Sequence, residues 1–196
     1  MGILNLEKLR DGLPGITKEK GSDLCVVCSY CLKNNSHNVG KDINVFYTII
    51  TGVEIKKYPI ANTIEKKYKL LWDTAINQQV SRTYANKLEA TEDGAVGIAI
   101  MLILEMTKYT IVKRSMNYTG FDYELAVKKT FHPFDKYDAR LEVSGIWKGD
   151  RIKIKKRIRD KLKQTTTSDH VGKPAFVVIV EFSKPQSHII ERHGQR

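Results

Sequence analysis

The segment TEDGAVGIAIMLILEMTK, residues 91–108, constrains the fold of this chain more than any other stretch. From Glu92 onward the segment is long enough for an α-helix of several turns, and apolar residues occupy nearly every side of its helical projection. A helix of this kind has to be covered all round, which predicts a central position in the domain, with Thr91 as the N-cap. No apolar run reaches the about 18 residues of a membrane span, so the helix is expected to be buried in protein.

The segments after this helix alternate in a way that predicts an α/β domain with a mixed central sheet. Three predicted strands come first: YTIVKRS at 109–115, FDYELAVKK at 121–129 and ARLEVSGIW at 139–147, with a loop across 131–138. A basic helix from Gly149 and Asp150 to about Gln164 and a buried strand AFVVIVEFS complete the order helix, strand, strand, strand, helix, strand.

Residues 1–87 are predicted to form an N-terminal elaboration packed on a core of residues 88–196, as one compact unit. Its expected parts are a loose arm to residue 21, a helix from Ser22 to Asn34, a β-hairpin and a helix over 63–87. The hairpin strands are DINVFYTIITG and VEIKKYPI, which turn near Thr51 and Gly52. The polar tail after Pro185 is expected to be frayed.

Three cysteines lie three residues apart in CVVCSYC, with a histidine six residues further on. Cys25, Cys28, Cys31 and His37 invite a zinc site, but structural zinc sites usually pair one such cluster with a second, distant pair. The same spacing marks one face of a helix, and a buried free cysteine behaves as a small hydrophobe. The sequence therefore favours core packing over zinc binding.

The net charge of +11, with an isoelectric point near 9.5, indicates an anionic partner. Nucleic acid ranks ahead of a membrane surface, because no basic amphipathic helix with a bulky aromatic face is present. A proteome rich in lysine is the alternative source of such a charge. An odd number of cysteines and no signal-peptide pattern at the N-terminus predict a cytoplasmic protein.

Two acidic residues on neighbouring predicted strands form the candidate site. Strand alternation places Asp122 and Glu142 on the polar side of their strands, and a meander would bring both carboxylates to one point. Paired carboxylates with open water positions suit Mg²⁺. The alternative is that both acids are solvated on half-exposed strands.

The basic helix supplies the cations that a phosphate-binding site requires. Its buried stripe is Ile154, Ile158 and Leu162, and Arg157, Lys161 and Gln164 lie beside that stripe. Nine basic and two acidic residues fall between Lys148 and Gln164, which favours contact with a phosphate backbone over a solvated basic face. The residues expected to bind nucleic acid are Lys148, Arg151, Lys153, Lys155, Lys156 and Arg159.

Because of this order of elements and the positions of Asp122 and Glu142, the chain resembles the PD-(D/E)xK nuclease superfamily over residues 88–185. It also resembles bacterial proteins associated with restriction and defence in EATEDGA, KRSMNYTGFDY, ARLEVSG, FVVIVEFSKP and the spacing of Arg157, Lys161 and Gln164. The resemblance implies that Asp122 and Glu142 bind Mg²⁺ or Mn²⁺, and that Glu92, or else Glu89, completes the metal shell.

The sequence departs from the superfamily pattern at two positions. Asp122 follows Phe121 rather than proline, and Ser144 stands where the motif has a lysine. Some branches of the superfamily place that cation on the next helix, which implies a catalytic role for Lys161 or Arg157 and a positioning role for a glutamine further along, here Gln164.

The resemblance therefore implies phosphodiester hydrolysis in nucleic acid, with DNA ahead of RNA. A role in bacterial restriction or antiphage defence follows, either alone or with other subunits of a defence complex. One alternative is a non-catalytic nucleic-acid-binding module that keeps the nuclease fold. The other is a protein-interaction subunit whose basic helix meets an acidic partner chain.

Overall fold

The computed structural model describes residues 1–51, 63–128 and 136–193, which form an α/β fold around one mixed sheet. Its eight strands have the order β1-β3-β2-β8-β7-β6-β5-β4, in which β1/β3, β2/β8 and β6/β7 are the parallel pairs. The strands are β1 Gly2–Asn5, β2 Lys41–Thr51, β3 Thr63–Leu71, β4 Tyr109–Arg114, β5 Tyr123–Val127, β6 Ala139–Ile146, β7 Ala175–Glu181 and β8 Gln186–His193.

Helices cover both faces of the sheet. They are α1 Lys18–Asn34, α2 Gln78–Thr83, α3 Lys87–Met106 and α4 Arg151–Thr165, with 3-10 helices at Leu6–Asp11 and Thr166–Val171. The larger core cluster holds α1, α3 and one face of the sheet, and the smaller one joins α4 to the other face. Within the three described ranges, no helix has the length and apolarity to cross a bilayer.

The apolar helix is central, as expected, but it begins one turn earlier than the sequence suggested. Asn86 is the N-cap, and its side chain accepts a hydrogen bond from the backbone N–H of Leu88. Thr91 lies inside the helix, where its hydroxyl donates to the carbonyl of Lys87. A threonine can satisfy its hydroxyl on the preceding turn, so its presence does not fix a helix start.

The cysteine-bearing face of α1 packs against α3, and core packing of the thiols is confirmed. Cys25, Cys28 and Cys31 are fully buried, and the thiols of Cys28 and Cys31 donate to backbone carbonyls of α3. His37 is hydrogen-bonded to the carbonyl of Phe182 instead. A Cβ at Gly97 would lie 2.4 Å from Cys28 Sγ, so this glycine is what lets the two helices approach closely.

Several predicted elements in the N-terminal half are wrong. Residues 2–11 are a strand and a 3-10 helix rather than a loose arm, and α1 begins at Lys18, capped by Thr17 instead of Ser22. The helix expected over 63–87 is β3 followed by the short α2. The proposed hairpin strand VEIKKYPI and most of the loop across 131–138 fall outside the described residues.

The C-terminal segment is not a frayed tail, because Gln186–His193 forms β8 near the middle of the sheet. β8 pairs antiparallel with β7 and parallel with β2, so it joins the N-terminal strands to the rest of the sheet. The predicted strands β4, β5, β6 and β7 and the predicted helix α4 are confirmed, with ends shifted by a few residues.

A buried charge cluster ties β6, β8 and the segment after α4 together. The side chains of Arg140 and Arg192 are 1% and 0% exposed, and both donate to the carboxylate of Asp169. Arg140 also donates to the carbonyls of Thr165 and Lys173. Burial would raise the pKa of Asp169, but the two arginines outweigh that effect and lower it.

Asp169→Asn is expected to reduce the free energy of unfolding by about 3 kcal/mol, because it leaves two buried guanidinium groups without a counter-charge. Urea denaturation at neutral pH measures the change. Asp160→Asn, at an exposed acid on α4, is the matched control and should leave the free energy unchanged. Equal stability of both variants would contradict a structural role for the cluster.

The β2–β8 contact contains a histidine that burial keeps neutral. The His188 ring stacks on Phe46 at 4.8 Å between centroids, and burial lowers the pKa of His188 to about 4. The unfolded chain therefore binds a proton on this residue more tightly than the folded chain does. The contribution of neutral His188 to stability is complete at pH values above 6.5, the pKa of histidine in the unfolded chain, and is lost as the pH falls toward 4.

His188→Gln should weaken this pH dependence. Between pH 6.5 and 4, wild-type protein is expected to lose on the order of 2 kcal/mol more unfolding free energy than the variant. Urea titrations at several pH values measure the two slopes, with the exposed His170→Gln variant as control. If all three proteins have the same slope, burial of His188 does not couple folding to pH.

Candidate active site

The register of β5 and β6 brings the two candidate acids together, as the meander predicted. Tyr123 pairs with Leu141, and the N–H of Asp122, one residue earlier, donates to the carbonyl of Leu141 at 2.8 Å. The carboxylate of Asp122 accepts a hydrogen bond from the N–H of Val143 at 2.9 Å. Asp122 therefore lies across from Glu142, the residue between these two backbone groups.

The polar face of β6 is not a wet surface. Arg140, Glu142 and Ser144 are only 1%, 1% and 4% exposed. The face they share continues into Ile146, which packs with the buried stripe of α4. A charged residue in such a place needs a partner, because desolvation of an isolated charge is very costly.

The α4 helix supplies the partners of Glu142. Lys161 Nζ lies 2.5 Å from Glu142 Oε1, and Gln164 Nε2 donates to the same oxygen at 3.0 Å. The amide oxygen of Gln164 accepts from Lys161 at 3.0 Å, so the three side chains hold one another. The second oxygen, Glu142 Oε2, is buried and has no hydrogen-bond donor among the described residues.

The electrostatic state of the pair reflects a buried Glu142 carboxylate beside a partly exposed Asp122 carboxylate. Burial and the neighbouring Asp122 carboxylate raise the pKa of Glu142 to about 7, although Lys161 acts in the opposite direction. Two carboxylates in contact repel unless a proton or a cation neutralises part of their charge. The site is therefore suited to accept positive charge beside Glu142 Oε2.

Arg157 occupies the position next to Lys161 along the same flank of α4. Its guanidinium donates to Ser144 Oγ at 2.5 Å, two residues along β6 from Glu142. The predicted flank of Arg157, Lys161 and Gln164 is confirmed as the one that reaches the polar face of β6. Only Lys161 and Gln164 contact the carboxylate directly.

Arg114, which the sequence analysis did not single out, adds a cation on the β4 side of the pair. Its guanidinium stacks over the Tyr123 ring at 4.7 Å, donates to that hydroxyl at 2.7 Å, and lies 3.7 Å from Asp122 Oδ1. The side chain is 62% exposed. The signal available was the short turn between β4 and β5, which places the end of one strand beside the start of the next.

The acids expected from the first helix do not join this group. Glu92 and Glu89 are exposed on α3, which packs on the opposite face of the sheet from α4. Among the residues with described positions, no three His, Cys, Asp or Glu side chains are arranged to share an ion. Asp122 and Glu142 are thus a two-carboxylate group.

The basic residues of α4 lie in different directions around the buried stripe. At 100° per residue, Lys153 projects on the side of Lys161, whereas Arg151, Lys155 and Arg159 project on the other side. Lys156 lies nearly opposite the stripe and is exposed. Arg151 and Lys155 border a cavity with Phe46 and His188, away from the carboxylates. Lys148 precedes the helix and is exposed.

Comparison of the chain with family models, with curated proteins and with solved structures gives no match.

Lys161→Met should destabilise the protein, because it leaves the Glu142 carboxylate buried beside Asp122 without a cation. The expected loss is about 2 kcal/mol of unfolding free energy at pH 8, less than for a fully buried pair because Glu142 can take up a proton. Lys163→Met, at an exposed position of the same helix, is the control. Equal urea midpoints for the two variants would show that the Lys161 contact does not stabilise the fold.

Proposed function

We propose that this chain is a divalent-metal-dependent nuclease that hydrolyses phosphodiester bonds in nucleic acid, with DNA as the favoured substrate over RNA. The observation that carries this proposal is the position of Asp122 opposite Glu142. The buried Glu142 Oε2 has no donor among the described residues, while Lys161 binds the other oxygen. A buried carboxylate with one oxygen that lacks a donor, beside a second carboxylate, is costly to fold. Such local costs are typical of sites that are kept for binding or chemistry.

The donor set fits a magnesium or manganese ion. All the available ligand atoms are carboxylate oxygens, and Mg²⁺ is commonly held by one or two carboxylates while several waters complete its shell. A cation at this position would satisfy Glu142 Oε2 and relieve the repulsion between Glu142 and Asp122. When bound, such an ion lowers the pKa of a coordinated water and neutralises charge on the phosphate oxygens.

The protein's own side chains would position and neutralise the substrate. Gln164 and Lys161 hold Glu142 Oε1, which fixes the direction of the other carboxylate oxygen. Lys161 also brings a positive charge to the point where negative charge develops on a phosphate in the transition state. The exposed guanidinium of Arg114 is available to a phosphate on the Asp122 side.

The arrangement supports the resemblance to the PD-(D/E)xK superfamily. The succession α3, β4, β5, β6, α4 and β7 has the order that the superfamily core would have, with Asp122 directly before the second strand and Glu142 on the third. Ser144 replaces the motif lysine, and Lys161 on α4 supplies the cation instead. The resemblance extends the proposal to bacterial restriction or antiphage defence, in which the chain acts alone or as a subunit of a larger assembly.

Glu142→Gln should abolish cleavage while leaving the protein folded. Plasmid and single-stranded DNA are incubated with wild-type protein and Mg²⁺ or Mn²⁺, and product formation is followed on gels. Loss of a carboxylate that holds the metal is expected to reduce the rate at least about 100-fold. Glu124→Gln, on the same strand as Tyr123 but paired with Lys113, is the control and should retain activity. Unchanged cleavage by Glu142→Gln would overturn the proposed site.

The second candidate is a nucleic-acid-binding module that does not cleave, and the observation favouring it is Ser144 in place of the motif lysine. This alternative predicts salt-dependent DNA or RNA binding that survives Asp122→Ala, with no cutting by wild-type protein under either metal.

A further inference from the structure

The short turn between β4 and β5, residues 115–121, borders the candidate site. The backbone N–H of Ser115 donates to the carbonyl of Asp122 at 2.8 Å, which closes the turn at its base. Inside it, the hydroxyls of Ser115 and Thr119 lie 2.6 Å apart, and Thr119 also donates to the carbonyl of Met116. The turn is therefore held in one shape by its own hydrogen bonds.

The tip of this turn presents a large aromatic ring to solvent. Tyr118 is 99% exposed and has a φ of 69°, in the left-handed region. That conformation costs about 1 kcal/mol or more for a side chain with a Cβ. Neither burial nor backbone preference favours a tyrosine here, since an asparagine or glycine would adopt the same turn at lower cost.

The backbone of the turn that carries Tyr118 has a defined position relative to the acids and to α4. A Cβ at Gly120 would lie 2.5 Å from the carbonyl oxygen of Gln164, so the turn sits directly against the end of α4 that carries the site glutamine. Tyr118 precedes Asp122 by four positions in the sequence, which limits the distance between their backbones to about 14 Å. A nucleic-acid strand with one phosphate at the carboxylates would therefore have a base near the Tyr118 ring within a few nucleotides of that phosphate.

We propose that Tyr118 stacks on an unpaired base of the substrate, while Arg114 binds a phosphate of the same strand beside Asp122. This inference rests on the proposed nuclease function and specifies its substrate class as single-stranded nucleic acid or an unpaired strand end. Base–aromatic stacking is independent of sequence but needs an exposed base face. In a continuous duplex the neighbouring base pairs cover those faces, so the ring has no partner there.

The test measures binding without cleavage, in EDTA and at low salt. Fluorescence anisotropy gives the affinity of the full chain for a labelled single-stranded oligonucleotide and for the same sequence as a blunt duplex. Tyr118→Asn removes the ring and keeps a residue that tolerates the left-handed backbone, whereas Tyr118→Phe keeps the ring. Met116→Ala, at a position 76% exposed in the same turn, is the matched control.

Tyr118→Asn is expected to weaken single-strand binding at least about fivefold and to leave duplex binding unchanged. Tyr118→Phe and Met116→Ala should bind both oligonucleotides like the wild-type protein. Equal single-strand affinity of wild type and Tyr118→Asn would overturn the role of Tyr118, as would an equal loss on both oligonucleotides. Absence of binding of wild-type protein to either oligonucleotide would also overturn the role of Tyr118. The nuclease function itself is decided by the cleavage assay with Glu142→Gln, so the two failures are distinguishable.

Discussion

A buried carboxylate on β6 sets the constraint that the rest of this site obeys. Glu142 lies in a strand that is paired on both sides and covered by α4, so water cannot balance its charge. Lys161 and Gln164 do so from the helix, and they reach Glu142 only if α4 is rotated with that flank toward the sheet. The apolar stripe of Ile154, Ile158 and Leu162 requires nearly the same rotation. Hydrophobic packing and charge balance therefore select one orientation of the helix, and each reinforces the other.

The same face of β6 carries a second charge of opposite sign, two residues from the first. Arg140 donates to the carbonyl of Thr165 at the end of α4 and shares Asp169 with Arg192 of β8. Two residues of β6 therefore bind α4: Glu142 through Lys161 and Gln164, and Arg140 through the carbonyl of Thr165. Because Arg192 lies on a strand that pairs with β2, the attachment extends across the sheet toward the N-terminal strands. A mixed sheet with several non-local pairings gains its alignment from such specific polar contacts as well as from apolar area.

The sequence predicted the elements whose patterns are strong and missed those whose burial depends on distant partners. The continuous apolar sequences of α3 and β7 predicted two buried elements, and both are buried. The apolar stripe of α4 predicted which flank of the helix lies beside the sheet. In β3, by contrast, Tyr68 and Leu70 are the two buried residues, and Ile64, Tyr68 and Leu71 imitate a helical spacing. In β8 the buried Arg192 looks like a solvated tail residue until Asp169, far away in sequence, is placed beside it. For the site, strand alternation was enough to predict that Asp122 and Glu142 lie close together. The position of Arg114 could not be predicted in this way, because it depends on the register of β4 and β5 across their turn.

In the proposed nuclease, Ser144 stands where the superfamily motif has a lysine, and the neighbouring helix shows what surrounds this serine. The space above Ser144 is filled by the guanidinium of Arg157, which donates to its hydroxyl. A lysine at that position would compete for this volume and place a third cation beside Arg157 and Lys161. Serine accepts the arginine instead, and the ammonium that reaches Glu142 comes from Lys161. A positive charge therefore lies at the Glu142 carboxylate without a lysine at position 144. Charge at a reacting phosphate depends on where the cationic group lies in space, so Ser144 is compatible with the proposed nuclease function.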